Sequence, residues 1–349
     1  MRSVTEARQR RLVEIVRTCG DITTAELVQT LGVSPATVRR DVAALEQAGK
    51  VRHSHGRVRR PGGRQLSDVS SGASLGLILP SMGYYFAAIV AGVREAAAAH
   101  GVRMVLGLGG HRDEHTEDRA QALIAHGAGG LLAVPGWSAG GGLRGDWLAE
   151  LGVPVVLVER RAERGSAADG LDRVCSDHHY GVLLALRHLH GLGHRKVALV
   201  ARRDSPTARA VHAGWLAGRS EEGVPHIEVD ARHPEGPAFE RSVTALAELV
   251  RGGGATAALV HNDLVAIAVV HGLAARGLEV PGDLAVVSYD DEIAALTDVP
   301  LTAVAPPKRE VGERAVELLL HRIRERAAPP THADLLPALR VRGSCGSAP

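Results

Sequence analysis

The stretch Ile22-Thr-Thr-Ala-Glu-Leu-Val-Gln-Thr-Leu-Gly-Val-Ser-Pro-Ala-Thr-Val-Arg-Arg-Asp41 decides how the N-terminal part of this 349-residue chain folds. Thr23 followed three residues later by Glu26 is a capping box, which satisfies amide donors that a helix start leaves orphaned, and it opens a run carrying Leu27, Val28 and Leu31. Gly32 ends that helix. Ser34 suits an N-cap and Pro35 the first helical position, where the missing N–H costs nothing, so a second helix is predicted from Pro35 to about Gln47, stopped by Gly49. Two short helices about a glycine turn have the geometry of a DNA reader.

In the second helix Val38, Val42 and Leu45 share one stripe and must face a small core, which turns Ala36, Arg40 and Ala43 outward. Small residues beside an arginine let a helix approach a groove closely; Arg40 can fork onto a guanine edge, and Arg39, to the side, suits a phosphate. An earlier helix from about Glu6 to Cys19 supplies Leu12, Ile15, Val16 and Cys19 to the same core. Residues 50–60, Lys-Val-Arg-His-Ser-His-Gly-Arg-Val-Arg-Arg, alternate as a basic hairpin able to lie along a phosphate backbone, completing a winged helix-turn-helix. The candidate contacts to double-stranded DNA are Thr23 and Thr24, then Ser34, Pro35, Ala36, Thr37, Arg39 and Arg40, then Lys50, Arg52, His53, His55 and Arg57.

A three-helix bundle that docks protein is the alternative, and charge argues against it. Through Arg64 there are 13 Lys+Arg against 6 Asp+Glu, a net of +7; the remainder holds 28 against 33, a net of −5. A basic head on an acidic body is the footprint of nucleic-acid binding by one part only. The segments Arg-Gln-Arg-Arg-Leu-Val-Glu-Ile-Val, Ile-Thr-Thr-Ala-Glu-Leu, Val-Ser-Pro-Ala-Thr-Val-Arg-Arg-Asp-Val-Ala-Ala-Leu and His-Gly resemble the head of a DeoR-type regulator. The resemblance covers roughly the first 60 residues and implies sequence-specific DNA binding through the helix of Ser34 to Gln47.

Beyond the head, 349 residues exceed one ordinary core. The expected division is a head at 1–60, a Pro/Gly/Ser-rich linker at 61–73 and a body at 74–346 that itself splits into two lobes. Three cysteines, at 19, 175 and 345, have no metal-ligand spacing and are too few for a disulfide framework. No apolar run follows the N-terminal basic residues and none approaches a membrane span, so a cytosolic protein without a membrane partner is expected.

From Leu75 onward short aliphatic runs (75–80, 102–108, 130–135, 153–158, 197–201, 257–260, 284–288) alternate with helix-length stretches such as Ala87 to His100 and Asp263 to Arg276. Continuous apolar strands separated by helices mean an α/β body with parallel sheets covered on both faces, and ligands of such sheets sit at the carboxyl ends of the strands. No phosphate-cradling glycine fingerprint, Gly-x-Ser-x-Gly elbow or His-Glu-x-x-His is found. Neither a catalytic constellation nor a cofactor or metal site is expected.

Leu-Gly-His-Arg-Lys-Val-Ala-Leu-Val (192–200), His-Asn-Asp-Leu-Val-Ala-Ile-Ala (261–268), Val-Pro-Gly-Asp-Leu-Ala-Val-Val-Ser-Tyr-Asp-Asp (280–291), Pro-Leu-Thr-Ala-Val (300–304) and the closing Leu-Arg-Val-Arg-Gly-Ser-Cys-Gly resemble, in this order, the body of a LacI/GalR-type regulator. The resemblance covers about Leu75 to Gly346. It implies a periplasmic-binding-protein-like type I fold of two Rossmann-like lobes, a small molecule held between them and a homodimer, with chain crossings expected near 174–177, 301–304 and 329–332. The N-lobe is then expected at about 74–175 and 302–330, the C-lobe at about 176–301 and 331–346.

The resemblance puts Asp263 in the interlobe cleft, where its carboxylate would accept ligand hydroxyls; an N-cap role is the alternative. Tyr84, Tyr85 and Phe86 follow the first strand of the body, where rings stack on sugar faces or bases. Glu159 and Asp290 end two further strands and point to the same mouth. The arginine that the family usually places four residues before the aromatic of Arg-x-x-Gly-aromatic is here Val211, with Arg209 or His212 as substitutes and Trp215 as either cleft wall or core. Asp177 is expected at a lobe crossing, and the helix of Arg309 to Leu320 near a dimer seam. The functional expectation is a DNA-binding transcriptional regulator, a repressor controlled by a small polar metabolite. A sugar-metabolism enzyme and a body that only dimerises are the alternatives.

Overall fold

The computed structural model describes residues 8–9, 11–13, 15–16, 21–31, 33–47, 50–54, 57–59, 74–109, 116–136, 143, 145–202, 205–220, 223–229 and 236–346. The chain divides into two compact units, Met1–Asp68 and Val69–Pro349.

In the first unit β1 (Asp21–Thr23), α1 (Thr24–Leu31), α2 (Pro35–Gln47), β2 (Arg52–Ser54) and β3 (Arg57–Arg59) follow one another. The three strands form an antiparallel sheet in the order β1-β3-β2, with Ile22 and His53 both opposite Val58. The hairpin read from residues 50–60 is present, whereas β1 is new: three residues cannot display a period of two, and they are extended because β3 offers them an edge. Ser34 starts α2, its hydroxyl accepting from Thr37 N at 3.3 Å and its carbonyl from Val38 N at 3.1 Å. Val38, Val42 and Leu45 are buried with Leu12, Val16, Ile22, Leu27, Val51 and Val58. Asp41, beside that stripe, takes hydrogen bonds from Arg8 Nε at 2.5 Å and Gln9 Nε2 at 3.2 Å, which ties the N-terminal helical residues to α2.

The second unit has two lobes. The N-lobe begins with β4 (Ser74–Leu79), α3 (Tyr84–Ala99), β5 (Arg103–Leu108), α4 (Thr116–Ala125), β6 (Ala128–Ala133), α5 (Asp146–Ala149), β7 (Val155–Val158) and β8 (Asp172–Ser176). The C-lobe follows with α6 (His178–Gly191), β9 (Val197–Ala201), α7 (Pro206–Gly218), β10 (His226–Glu228), α8 (Pro237–Arg251), β11 (Ala257–Val260), α9 (Asp263–Ala274), β12 (Ala285–Tyr289) and β13 (Thr302–Ala305). The chain then returns to the N-lobe for α10 (Lys308–Arg324) and β14 (His332–Leu335), and ends in the C-lobe with β15 (Ala338–Arg340). The N-lobe sheet, β14-β8-β7-β6-β4-β5, is wholly parallel; the C-lobe sheet, β10-β9-β11-β12-β13-β15, is parallel except for β15. Each sheet carries an apolar cluster on both faces, which is why the aliphatic runs of β4, β7, β9 and β11 are continuous rather than alternating.

Three segments cross between the lobes: Ser176–His178, Ala305–Lys308 through Pro306 and Pro307, and Leu335–Ala338 through Leu336 and Pro337. The first overlaps the expected 174–177 only at Ser176 and Asp177, because β8 runs through residues 174–176. The other two lie later than 301–304 and 329–332, because those segments are occupied by β13 and by the approach to β14. Their short, mixed sequences Thr-Ala-Val-Ala and His-Ala-Asp-Leu carry no long aliphatic run: β14 is an edge strand that alternates between exposed and half-buried, and β13, though buried between β12 and β15, is only four residues long. A clamp secures the return: Arg322 pairs with Asp172 at 2.6 and 3.0 Å and donates to the carbonyls of Ala328 and Pro329, while Thr331 N donates to the same carboxylate at 2.7 Å.

Candidate functional site

The head presents a candidate DNA-contacting surface on α2. Ser34, Pro35, Ala36, Arg39 and Arg40 are exposed and Thr37 half-exposed, because the apolar stripe of α2 is turned to the core; Lys50 is exposed and Thr24 half-buried. The side chains of Thr23, Arg52, His53 and Arg57, and all of His55, lie outside the described residues.

In the body a cavity of about 220 Å³ opens where the carboxyl ends of both sheets face each other. The N-lobe lines it with Ser81, Gly83 and the first turn of α3, Tyr84 to Phe86, all after β4, and with Arg160 after β7. The C-lobe contributes Arg202 and Ser205–Thr207 after β9, His261 and Asn262 after β11, and Asp290 after β12. The placement follows the rule for open parallel sheets, in which the loops leaving the strands converge on one crevice.

Several bonds join the lobes around it. Tyr84 Oη donates to Asp290 Oδ2 at 2.9 Å. His178 Nε2 lies 3.3 Å from Glu159 Oε2, and His178 Nδ1 lies 3.2 Å from Tyr289 Oη. Lys308 Nζ pairs with Glu292 Oε1 at 2.7 Å. Glu159, Asp290 and Asp291 have φ of 53°, 98° and 54°, and they are the non-glycine residues with positive φ among the described residues. Such backbone costs about 1–3 kcal/mol each and persists only where neighbours over-determine it, so its concentration at the ends of β7 and β12 marks this crevice.

The electrostatics follow from burial. Burial pushes the Asp290 carboxyl up from its ordinary value, while the Lys308 ammonium and the Tyr84 hydrogen bond pull it back. Burial, with repulsion from His178 and Arg202, pulls His261 down to about 3, so its imidazole is neutral at physiological pH. Burial alone would raise the Glu159 carboxyl, but bonds from His178 and Ser176 outweigh it and leave the group below its usual range. Tyr85 Oη, His261 Nδ1 and Asp290 Oδ1 are buried without a hydrogen-bond partner. Native interiors satisfy such atoms, so three from residues lining one cavity point to a ligand that supplies the missing partners.

Four of the expected effector residues, Tyr84, Tyr85, Phe86 and Asp290, come together here; Phe86 also packs into the core beneath α3. Three others stand elsewhere. Asp263 is fully buried, and its oxygens accept from Ser288 Oγ at 2.5 Å, Glu292 N at 2.7 Å and Ile293 N at 3.1 Å, so it anchors the loop after β12 rather than facing the cavity. Nor is it the N-cap of α9, a position held by Asn262. Glu159 stands behind the wall, with Oε1 taken by Ser176 Oγ at 2.6 Å and Oε2 facing His178. Arg209 is exposed on α7 and does not line the cavity, because Val211 and Trp215, two and six residues on, turn inward: both are core, and Trp215 Nε1 donates to Val197 O at 2.8 Å. His212 stacks on Trp215 and His226 instead.

The cavity residues that sequence reasoning missed are chiefly Arg160, Arg202, Ser205 and His261. Arg160, Arg202 and His261 each lie one or two residues past the end of an aliphatic strand, a position that the rule for parallel sheets marks in the sequence. Arg160 is buried and donates to Pro135 O at 2.9 Å and Glu159 O at 2.8 Å.

Comparison with known proteins fits both units. A DeoR-like helix-turn-helix domain matches residues 8–62 and a periplasmic binding protein-like domain residues 186–345. The HTH-type transcriptional regulator MalR of Streptomyces coelicolor is 30% identical over 97% of this chain and 97% of its own length. The arabinose metabolism transcriptional repressor of Geobacillus stearothermophilus is 27% identical over 91% and 89%. Among solved structures, the lac repressor dimer bound to operator and the anti-inducer ONPF superposes with a TM-score of 0.66 at 22% identity, covering 86% of this chain and 97% of that one. Among the described residues no helix is long and apolar enough to cross a membrane. With a basic winged head, a two-lobed body and a relative of this identity over nearly the whole length, the chain belongs to the family of HTH-type transcriptional regulators, with a DeoR-like DNA-binding domain as its head and a periplasmic binding protein-like body.

Proposed function

We propose that this protein is a cytosolic repressor, a homodimer whose two winged heads bind a pseudo-palindromic operator and whose body senses a small sugar between its lobes. It is not an enzyme in this reading. The observation that carries it is the cavity at the carboxyl ends of both sheets, where Asp290 Oδ1 and His261 Nδ1 are buried without partners. A carboxyl oxygen beside a neutral imidazole matches the donors and acceptors of a polyol ring, and Tyr84 and Tyr85 supply aromatic surface to its apolar face. At about 220 Å³ the space lies below the roughly 300–1,000 Å³ of drug-sized ligand sites, which favours a monosaccharide over anything longer. The arabinose repressor among the relatives points the same way.

A ligand can change DNA affinity only through unequal affinity for two lobe arrangements, and the Tyr84–Asp290 and Glu159–His178 contacts give the arrangement seen here its own stabilisation. Two-fold symmetry predicts half-sites separated by about one or more helical turns, roughly 34 Å each.

The direct test selects operator fragments from genomic DNA with the full-length protein, then repeats the binding with L-arabinose, D-ribose and D-xylose present. Release of the fragment by one of these sugars is the expected result; indifference to all three, with unchanged thermal stability, would remove the sugar reading. Arg40→Ala is expected to weaken the selected fragment by about 10- to 100-fold, the worth of one bidentate base contact. An equal loss on unrelated DNA would reassign Arg40 to the phosphates.

A further inference from the structure

We infer that Lys308 is a positioning residue for the effector site: reaching from the start of α10 in the N-lobe, it holds the C-lobe loop after β12 so that Asp290 presents its carboxyl group to the cavity. The inference rests on reading that cavity as the effector site, and it concerns a residue that does not itself line it. Lys308 is 6% exposed, an unusual place for an ammonium unless every N–H is answered. Its Nζ donates to the carbonyl of Asp290, pairs with Glu292 Oε1 at 2.7 Å and stands 5.3 Å from the centre of the Tyr85 ring. One cation of the N-lobe thus grips two of the three consecutive acidic residues of the C-lobe loop, the first, Asp290, through its carbonyl and the third, Glu292, through its carboxylate.

The loop needs such a grip. Asp290 and Asp291 are held at φ of 98° and 54°, a conformation that asparagine and aspartate adopt at a cost and that relaxes when its restraints go. Asp263 fixes the far side of the loop through Glu292 N and Ile293 N, and Lys308 fixes the near side through the Asp290 carbonyl. Asp291 is engaged elsewhere, paired with Arg342 at 2.7 Å.

The charge around Asp290 comes from every element that packs on it. Glu159 at the end of β7 and burial itself oppose ionisation; Asp263 on α9 and Glu292 add further negative charge nearby. Lys308 on α10, Tyr84 on α3 and His178 on α6 favour ionisation, with Lys308 the largest of the three. Arg160, Arg202 and the neutral His261 complete the ionisable groups of the wall, Tyr85 and Tyr289 being phenols whose ionisation burial suppresses. Without Lys308 the balance tips toward a protonated Asp290, which exchanges a charge-assisted acceptor for a neutral group of about half the hydrogen-bonding strength. A site built this way selects ligands that donate hydroxyls to Oδ1.

The sign of the pH dependence follows. Hydroxyl-donor affinity is present above the Asp290 pKa and lost as pH falls through it; raising that pKa moves the loss to higher pH. The test uses full-length protein labelled with 13C at the aspartate carboxyl carbon, with the Asp290 signal identified by its absence in Asp290→Asn. In Lys308→Gln the Asp290 midpoint is expected to rise by about one pH unit or more, and in Lys308→Arg to stay near wild type. L-arabinose, D-ribose and D-xylose are titrated calorimetrically against the same proteins; for any that binds wild type, Lys308→Gln should weaken it about tenfold at neutral pH, with the acid-side loss moved to higher pH.

An Asp290 midpoint unmoved in Lys308→Gln overturns the inference, as does an arginine variant that behaves like the glutamine one. A midpoint that moves while none of the three sugars binds wild type leaves the role of Lys308 standing and removes the sugar reading. Should Lys308→Gln not fold, Lys308→Met, whose apolar chain keeps the packing of the lysine stem, carries the same test: a rise of the Asp290 midpoint by about one pH unit is expected, and an unmoved midpoint overturns the inference.

Discussion

Asp263→Ala is expected to destabilise the body by about 3 kcal/mol, enough to lower the melting temperature by on the order of 6 °C, and to abolish any sugar-induced change in DNA binding. The magnitude comes from what the carboxylate holds. It is fully buried, and alanine would leave the Ser288 hydroxyl and the amides of Glu292 and Ile293 without their acceptor. A buried donor left unsatisfied costs about 1–3 kcal/mol, so three of them set an upper range above the figure given. Two effects reduce it: burial raises the Asp263 carboxyl, so removing the group also removes a desolvation cost, and the loop after β12 can relax toward water. That relaxation is what ends the response, because Asp290 loses its fixed place at the cavity. Thermal unfolding of the purified variant, followed by operator binding with and without L-arabinose, D-ribose and D-xylose, checks both parts. Wild-type stability with a lost response would return Asp263 to direct ligand binding, and wild-type stability with an intact response would remove it from both roles.

Gly312→Val is expected to cost about 3 kcal/mol through a different mechanism, the separation of α3 from α10. A Cβ at Gly312 would run into the Ile89 carbonyl and stand 2.9 Å from Val93 N, and one at Gly92 would meet the Arg309 carbonyl. Obstacles made of backbone cannot rotate away as a side chain can. The helices would have to part, loosening the layer of Ile89, Val93, Val311, Ala315 and Leu319 that closes the N-lobe core. Gly129→Ala is the control: its Cβ would meet nothing nearer than the Ser74 carbonyl at 3.9 Å, and it should unfold at the same urea midpoint as wild type. Equal midpoints for Gly312→Val and wild type would show that the two helices have more room than their backbones indicate.

Much of the fold is written in local pattern. The capping residues and the stripe of Val38, Val42 and Leu45 specify α2 and its buried face, and the aliphatic runs specify β4, β6, β7, β9, β11 and β12 as interior parallel strands. Elements that owe their existence to a neighbour were not legible. β1 is extended only because β3 pairs with it, and β13, β14 and β15 are short edge or near-edge strands whose sequences do not differ from loop. The crossings therefore shifted by several residues, to pairs that contain Pro306–Pro307 and Leu336–Pro337, where proline ends a strand by lacking the amide that a ladder needs.

The site divides in the same way. Sequence by itself determined the class of this protein, a basic winged head on an acidic two-lobed body, and placed Tyr84, Tyr85, Phe86 and Asp290 at the crevice, because strand ends and charge are properties that residues carry along the chain. Only the tertiary structure decided which carboxylate faces the cavity. Asp263, Glu159 and Asp290 are equivalent on paper, each acidic and each at a strand end or helix start. One donor on β12 and two from the loop after it consume Asp263, Ser176 and His178 consume Glu159, and Asp290 alone of the three keeps an oxygen without a partner. That outcome depends on hydrogen bonds between residues 17 to 30 positions apart, and on Lys308, 18 residues from Asp290, contacts that no local pattern encodes.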